Sequence, residues 1–480
     1  MTPETLNFSL IIPELFMLTM ACIALLAGLF AKKHGVGICY ALVQIALLGT
    51  ALLALRYYQQ PTLISFYGSV ILDPLAVLLK IAICLISFMV FWYSREYVRE
   101  YMPHYQLEYY VLGLFAVLGT LVLVSAYNFL TLFLGVELFS LPVYAMIALR
   151  RDSAICSEAA MKYFVISAIA SGMLLYGLSM LYGATQTIEL NTVASVTANA
   201  PASQQIILSL GLVFVTVGIA FKLGAVPFHM WVPDVYEGAP SSVTLFIASA
   251  PKIAGLALAL RLLVNALPGL HVQWHELLIA IALLSMALGN IVAIVQTNFK
   301  RMLAYSSIAQ MGYMLLGLLS ATPAGYAAAT FYMISYSIMV LGAFGMLLLL
   351  NRSGFEAKWI QDFQGLNSRD PWLAFMMLLI LFSMAGIPPI VGFMAKVSVL
   401  EALISVHQVW LAAVALLFAI IGAYYYIYVV KVMYFESPKT ATPVACSLNM
   451  RLAMSLNGLT VLLLGLFPGA LFNICRAVFY

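Results

Sequence analysis

Four titratable side chains lie deep inside long apolar stretches of the sequence: Glu137, Lys222, Lys252 and Lys396. A charged side chain at the centre of a membrane costs roughly 2.5–3.5 kcal/mol on insertion scales, and such residues usually face a bundle interior and mark an ion pathway. Lysines with one glutamate are suited to passing protons by exchanging partners, because the ionisation of a lysine responds to burial and to a nearby carboxylate. A bare metal cation would require several oxygen ligands. The sequence therefore predicts a proton pathway, with structural ion pairing as the alternative role for each residue.

Two further candidates lie nearer the ends of their apolar stretches. Lys162 could extend its ammonium to the membrane surface, or it could pair with Glu137 on the preceding stretch. His229, in the motif PFHMW, could pass protons because histidine titrates near neutral pH, or it could cap a broken helix. For Glu14 and Lys80 the expected role is a local ion pair or contact with the membrane surface.

The composition is that of a polytopic membrane protein. Of the 480 residues, 64% are hydrophobic and only 8% are charged, against about 25% charged in soluble domains. The net charge of +4 is too small to indicate a nucleic-acid partner. The six cysteines are scattered and form no CxxC pair, and no nucleotide-binding glycine motif occurs. The sequence therefore predicts an all-α protein in a lipid bilayer, with no cofactor or metal site on this chain.

The apolar stretches predict fourteen membrane spans in one transmembrane domain over residues 1–480. A bilayer crossing needs about 20 mostly apolar residues. On that basis the spans are 8–30, 36–55, 74–93, 109–126, 128–149, 159–182, 206–228, 241–263, 277–296, 302–320, 326–350, 372–400, 410–430 and 452–473.

Lysine and arginine are distributed unequally between the two sides that these spans define. Fourteen follow odd-numbered spans, three lie on the other side and five lie inside spans, which accounts for all 22. The first group is Lys32, Lys33, Arg95, Arg99, Arg150, Arg151, Lys300, Arg301, Arg352, Lys358, Arg369, Lys431, Lys439 and Arg451, and the second is Arg56, Arg261 and Arg476. Because cytoplasmic loops retain basic residues, both termini are predicted to face away from the cytoplasm.

Prolines and glycines interrupt two predicted spans close to a lysine. In span 7, Lys222 is followed by LGAVP, and in span 12, GIPP precedes Lys396. Proline removes a backbone donor, which is tolerated at membrane depth only where the backbone is buried in protein or lines a wet cavity. Transporters built from inverted repeats contain paired interrupted helices of this kind. The sequence predicts broken helices 7 and 12 in two inverted five-helix repeats, spans 4–8 (108–263) and 9–13 (277–430); simple kinks are the alternative.

Five motifs along the chain resemble the antiporter-like membrane subunits of respiratory complex I. They are LGVELFSLPVYAMIA, FKLGAVPFHMWVPDVYEGAP, APKIAG, QTNFKRMLAYSSIAQMGY and AGIPPIVGFMAK, and the resemblance covers essentially the whole length. The PDVYEGAP form and Lys396 are closer to one branch of this family than to its paralogues. Gln310 stands where some members carry histidine, so no proton relay is implied at that position.

The resemblance implies fourteen helices, two inverted repeats and a proton channel. Glu137 matches the family's span 5 glutamate, Lys222 its span 7 lysine, Lys252 the connecting lysine and Lys396 the exit-side lysine. Lys162 matches an additional lysine of span 6. A signal from a neighbouring subunit would disturb the pair of Glu137 with Lys222. The proton would then move from Lys222 through Lys252 to Lys396.

The implied activity is that of a proton-translocating subunit of NADH:quinone oxidoreductase in a bacterial inner membrane. NAD, FMN, iron–sulfur clusters and quinone would be bound by other subunits. Its partners would be other antiporter-like and small membrane subunits and the redox arm of the complex. A subunit of a standalone multisubunit cation/proton antiporter is the first alternative, and a non-pumping spacer in the membrane arm is the second.

Overall fold

The structure is a computed structural model that describes residues 6–31, 35–58, 60–351, 355–438, 444 and 446–480. Lys32, Lys33, Arg352 and Lys439, which contributed to the predicted orientation, lie outside the described residues. Within these ranges the chain is almost entirely α-helical, as predicted, with one short hairpin of β1 (Leu63–Ser65) and β2 (Val70–Leu72).

The helices are numbered here in chain order. The first ten are α1 (Ile12–Phe30), α2 (Gly35–Leu55), α3 (Pro74–Tyr101), α4 (Gln106–Ser125), α5 (Phe129–Ile147), α6 (Ala154–Thr185), α7 (Leu190–Ala198), α8 (Gln205–Leu223), α9 (Trp231–Gly238) and α10 (Ser241–Ala248). The others are α11 (Ala250–Ala259), α12 (His271–Ile294), α13 (Phe299–Leu319), α14 (Pro323–Leu350), α15 (Leu366–Arg369), α16 (Pro371–Ala385), α17 (Val391–Ser405), α18 (Val409–Phe435), α19 (Leu448–Leu466) and α20 (Gly469–Ala477).

The prediction of an all-α polytopic membrane protein is confirmed. Among the described residues, thirteen helices are long and apolar enough to cross a membrane. The remaining predicted span, 372–400, consists of the two shorter helices α16 and α17. The last predicted span, 452–473, is divided at Pro468 into α19 and α20.

Two compact units make up the chain, and the first contains described residues of Met1–Phe91, Met102–Leu223 and Ala250–Leu277. Within it α4 packs against α5, α6 packs against α8, and α11 contacts both α4 and α8. Every residue of α11 is buried. An apolar helix without a polar face must be enclosed by other helices, and this enclosure places its one lysine, Lys252, in the interior of the unit.

The close approach of α4 to α5 depends on a glycine. A Cβ added to Gly119 would lie 2.2 Å from the backbone nitrogen of Phe139 and 2.6 Å from its Cα. Small residues at helix contacts let backbones approach closely in membrane proteins. This contact fixes the position of α5, the helix that carries Glu137.

We expect Gly119→Ala to lower the melting temperature of the purified protein, because the added carbon meets backbone that cannot rotate away. Overpacking of this kind costs typically about 1–3 kcal/mol. Gly183→Ala on α6 is the matched control, since a Cβ there meets nothing within 4 Å. Equal melting temperatures for the two variants would contradict the assigned contact.

The second unit contains described residues of Trp92–Tyr101, Gly224–Ser249 and Leu278–Tyr480. Its core is built on α13 and α14, in which almost every residue is buried. Helix α14 contacts α13, α16, α17, α19 and α20. Helix α17 also contacts α13 and α16.

The seventh and twelfth predicted spans, which correspond to α8 with the segment after it and to α16 with α17, are both broken, as expected. Helix α8 ends at Leu223 rather than at 228, because Gly224 has a φ of +71°. Helix α16 ends at Ala385, and Gly386 has a φ of +88°. A residue in this left-handed region ends a helix, and glycine adopts it without steric cost.

Candidate functional site

Lys222 lies near the broken end of α8, and two serine hydroxyls hold its ammonium. Its Nζ donates to Ser140 Oγ on α5 at 2.8 Å and to Ser167 Oγ on α6 at 3.3 Å. The rings of Phe139 and Phe221 lie 5.5 and 5.8 Å from the ammonium, within cation–π range. Neutral groups on three helices of the first unit therefore stabilise the charge.

Both serines are oriented by further hydrogen bonds. Ser140 Oγ donates its own proton to the carbonyl of Val136, one turn earlier on α5. Tyr144 donates to Ser167 Oγ at 2.6 Å, so that oxygen accepts from two donors. The hydroxyl oxygens, rather than their protons, consequently face Lys222.

Glu137 lies one turn before Ser140 on the same face of α5, because residues three apart are neighbours on a helix. The side chain is half-buried, and its Oε1 is buried and accepts no hydrogen bond from the described residues. The hydrogen bonds of the Lys222 ammonium go to serines rather than to Glu137. The expected Glu137–Lys222 pair is thus indirect in this conformation.

The Lys252 ammonium binds a backbone carbonyl at the end of α8. It is 1% exposed, and its Nζ donates to the carbonyl of Leu223 at 2.6 Å. The last carbonyls of a helix lack intrahelical partners, and the negative end of the helix dipole favours a cation there. The break therefore creates a site for an ammonium inside the first unit.

Lys396 has the same relation to the break in the second unit. Its Nζ donates to the carbonyls of Ala385, at 2.8 Å, and Met384, at 3.3 Å, which end α16. The ammonium lies 5.1 Å from the ring centre of Tyr313. Lys396, Tyr313 and Gly386 also line a cavity of about 200 Å³ between α17 and α18. The lysine is thus held by neutral acceptors and reaches a small cavity.

A buried hydrogen-bonded network lies beside the carbonyls of Met384 and Ala385. It was not predicted from the sequence. Gln310 donates to Tyr426 OH at 3.2 Å and accepts a hydrogen bond from Tyr332 OH. Ser306 and Tyr426 are hydrogen-bonded to each other. The polar residues of AYSSIAQMGY recur within an apolar helix, and that pattern was the signal available in the sequence.

Lys162 and His229 occupy less buried positions than Lys252. Lys162 pairs with Glu158, one turn earlier on α6, at 2.8 Å, and its side chain is 43% exposed. This exposure favours the alternative in which the lysine extends towards the surface. His229 is half-buried in the segment between α8 and α9, where its carbonyl accepts from the backbone N–H of Val232 at 2.8 Å.

Two basic residues that contributed to the predicted orientation are buried by protein. Lys300 is 1% exposed, and its Nζ donates to the carbonyl of Ala239, just after α9, at 2.7 Å. Arg261, also 1% exposed, binds both carboxylate oxygens of Asp73, at 2.6 and 2.8 Å. Both residues lie in helical segments rather than in loops, and the side of the membrane that each faces stays a prediction.

Of the two roles expected for Glu14 and Lys80, the structure shows the ion pair, which the two residues form with each other. Lys80 is fully buried, and its Nζ lies 2.6 Å from Glu14 Oε1, which also accepts from Ser125 Oγ at 3.0 Å. The pair lies in the first unit and involves none of the lysine contacts described above.

The lysine contacts differ from this ion pair in their acceptors. Lys222, Lys252 and Lys396 donate to hydroxyl or carbonyl oxygens, all neutral. A lysine in such a setting can release its proton without leaving a buried anion unpaired, whereas breaking a buried ion pair costs several kcal/mol. The arrangement is therefore that of a membrane protein with broken helices, beside which lysine ammonium groups are held by neutral oxygens.

The chain belongs to the family described as NADH:quinone oxidoreductase/Mrp antiporter, transmembrane, whose model matches residues 126–422. It is 59% identical to NADH-quinone oxidoreductase subunit N of Coxiella burnetii, over 100% of both chains. A chain in the structure of respiratory complex I from Thermus thermophilus with bound aureothin is 28% identical, with a TM-score of 0.82 over 96% of this chain and 99% of that one.

The fold also occurs outside respiratory complex I. A chain of the Mrp complex from a Dietzia species has a TM-score of 0.85 over 99% of this chain and 97% of that chain, at 19% identity. A likeness at that identity extends to the fold alone.

Proposed function

We propose that this chain is a proton-translocating membrane subunit of an NADH:quinone oxidoreductase. Its full-length similarity to a subunit N supports this assignment. The observation that carries the mechanism is the binding of lysine ammonium groups to freed carbonyls at both helix breaks. Electron transfer from NADH to quinone would occur in other subunits, which would bind the flavin, iron–sulfur clusters and quinone.

Within this proposal Glu137, Lys222 and Lys252 carry protons in the first unit, and Lys396 carries them in the second. One buried oxygen of Glu137 accepts no hydrogen bond from the part of the chain that the structure describes, so it could respond to a change in a neighbouring subunit. Such a change would alter the electric field at Lys222, whose ammonium binds Ser140, one turn from Glu137 on α5. Lys162 and His229 would have supporting roles at the edges of this path.

The two inverted repeats remain part of the proposal, and matched features support them. Asn128 caps α5 and Asn298 caps α13, the second helices of the two proposed repeats. Each asparagine also forms an isolated β-bridge, Asn128 with Glu189 and Asn298 with Trp359. The third membrane span counted from each cap, which begins with α8 in one repeat and α16 in the other, contains the break with a left-handed glycine. The proposed orientation has both termini on the periplasmic side.

A subunit of a standalone cation/proton antiporter is the second candidate, supported by the likeness of fold to the Mrp chain. The two functions differ in their partners and in their need for NADH.

Affinity purification of the tagged chain in mild detergent distinguishes them. We expect NADH:quinone reductase activity to co-purify, with flavin and iron–sulfur absorption in the eluate. Purification with other membrane subunits, without redox activity but with sodium-dependent proton flux, would instead assign the antiporter function.

A further inference from the structure

The carbonyl of Met384 accepts hydrogen bonds from two side chains in the second unit. Gln310 Nε2 donates to it at 3.1 Å, and Lys396 Nζ donates to it at 3.3 Å. A carbonyl oxygen has two lone pairs, so both are occupied. Gln310 and Lys396 are therefore connected through one backbone atom at the end of α16.

The amide of Gln310 has one favourable orientation. The residue is 2% exposed, its Nε2 donates to Met384 and Tyr426, and its Oε1 accepts from Tyr332. A flipped amide would place an oxygen against the Met384 carbonyl and an N–H against the Tyr332 hydroxyl. Tyrosines on α14 and α18 thus fix the donor that faces Met384.

We propose that Gln310 is a positioning residue for Lys396. By donating to the Met384 carbonyl, Gln310 holds that carbonyl in place at the broken end of α16. The Lys396 ammonium then binds the second lone pair of this oxygen and the carbonyl of Ala385. An amide does not titrate in the physiological range, so this restraint stays the same while Lys396 gains or loses its proton. The inference rests on the proposed function, in which Lys396 exchanges protons.

The test measures protons pumped per NADH in membrane vesicles that contain the assembled complex, with the amount of complex taken from its flavin content. Gln310→Met keeps the length of the side chain but removes its hydrogen bonds. We expect the pumping rate per complex to fall about fivefold, which corresponds to about 1 kcal/mol, and the protons per NADH to fall with it. Adding Gln310→Met to Lys396→Met should cause no further loss, because the residue acts through Lys396.

Tyr336→Phe is the matched control. Tyr336 is fully buried and donates to Ser307 at 2.8 Å, and it has no hydrogen bond to Gln310 or Met384 among those described. This variant should reduce at most the amount of complex and leave the protons per NADH unchanged. If Gln310→Met does not assemble, Gln310→Leu removes the same donor in a smaller side chain, and the same loss is expected.

Three outcomes would overturn the inference. They are normal pumping by the Gln310 variants, a further proportional loss in the double variant, or an equal fall in protons per NADH in Tyr336→Phe. Failure of the proposed function gives a different result, since Lys396→Met alone would then pump normally.

Discussion

Replacing Lys252 by methionine is expected to lower NADH-driven proton pumping about 100-fold, the low end of what a positioned proton-transfer group contributes. Lys252 is 1% exposed, and its ammonium bonds to the carbonyl at the broken end of α8. Methionine fills the same space but cannot carry a proton. The measurement is the initial rate of proton uptake by inverted vesicles after NADH addition.

Lys431→Met is the control for this prediction. Lys431 is exposed near the end of α18 and takes no part in the proposed path. We expect pumping within about twofold of the unmodified protein, since surface substitutions usually change stability by less than about 0.5 kcal/mol. A Lys252 variant that assembles and pumps as well as this control would remove Lys252 from the pathway.

Gly386→Ala is expected to reduce pumping about tenfold or more through Lys396, which corresponds to about 1.4 kcal/mol or more of barrier. The new Cβ would lie 2.9 Å from Cδ and 3.1 Å from Nζ of Lys396. It would also require alanine at a φ of +88°, a conformation that costs about 1–2 kcal/mol for a residue with a Cβ. The ammonium must therefore move from the carbonyls of Met384 and Ala385.

The measurement is protons pumped per NADH at equal flavin content, which separates displacement of Lys396 from loss of assembled complex. Gly172→Ala on α6 is the matched control, since a Cβ there meets nothing within 4 Å. Unchanged protons per NADH in Gly386→Ala would show that the position of the ammonium does not govern transfer.

Burial of charge and interruption of helices could be predicted from the sequence because both leave local signals. Lys222 and Lys396 stand beside glycine and proline in apolar stretches, and the structure places a helix break at each. The position of the first break was predicted less accurately. Helix α8 ends at Leu223, because Gly224 has a left-handed backbone conformation, and not at 228 as predicted. Hydropathy alone does not report that change in backbone conformation.

The partners of the buried charges could not be predicted, because they come from distant segments. Lys252 bonds to Leu223 and Lys300 to Ala239, and both acceptors are backbone carbonyls that any residue type supplies. The serines that hold Lys222 are ordinary helix residues in the sequence. For Arg261, only tertiary packing brings Asp73 within 2.6 Å.

The most direct test of the proton pathway measures protons translocated per NADH oxidised in vesicles carrying Lys222→Ala or Glu137→Ala. The number should fall in both variants at unchanged flavin content, because Lys222 carries the proton and Glu137 sets its field. If both variants translocate as many protons per NADH as the unmodified complex, the buried lysines and glutamate of this chain are not its proton pathway.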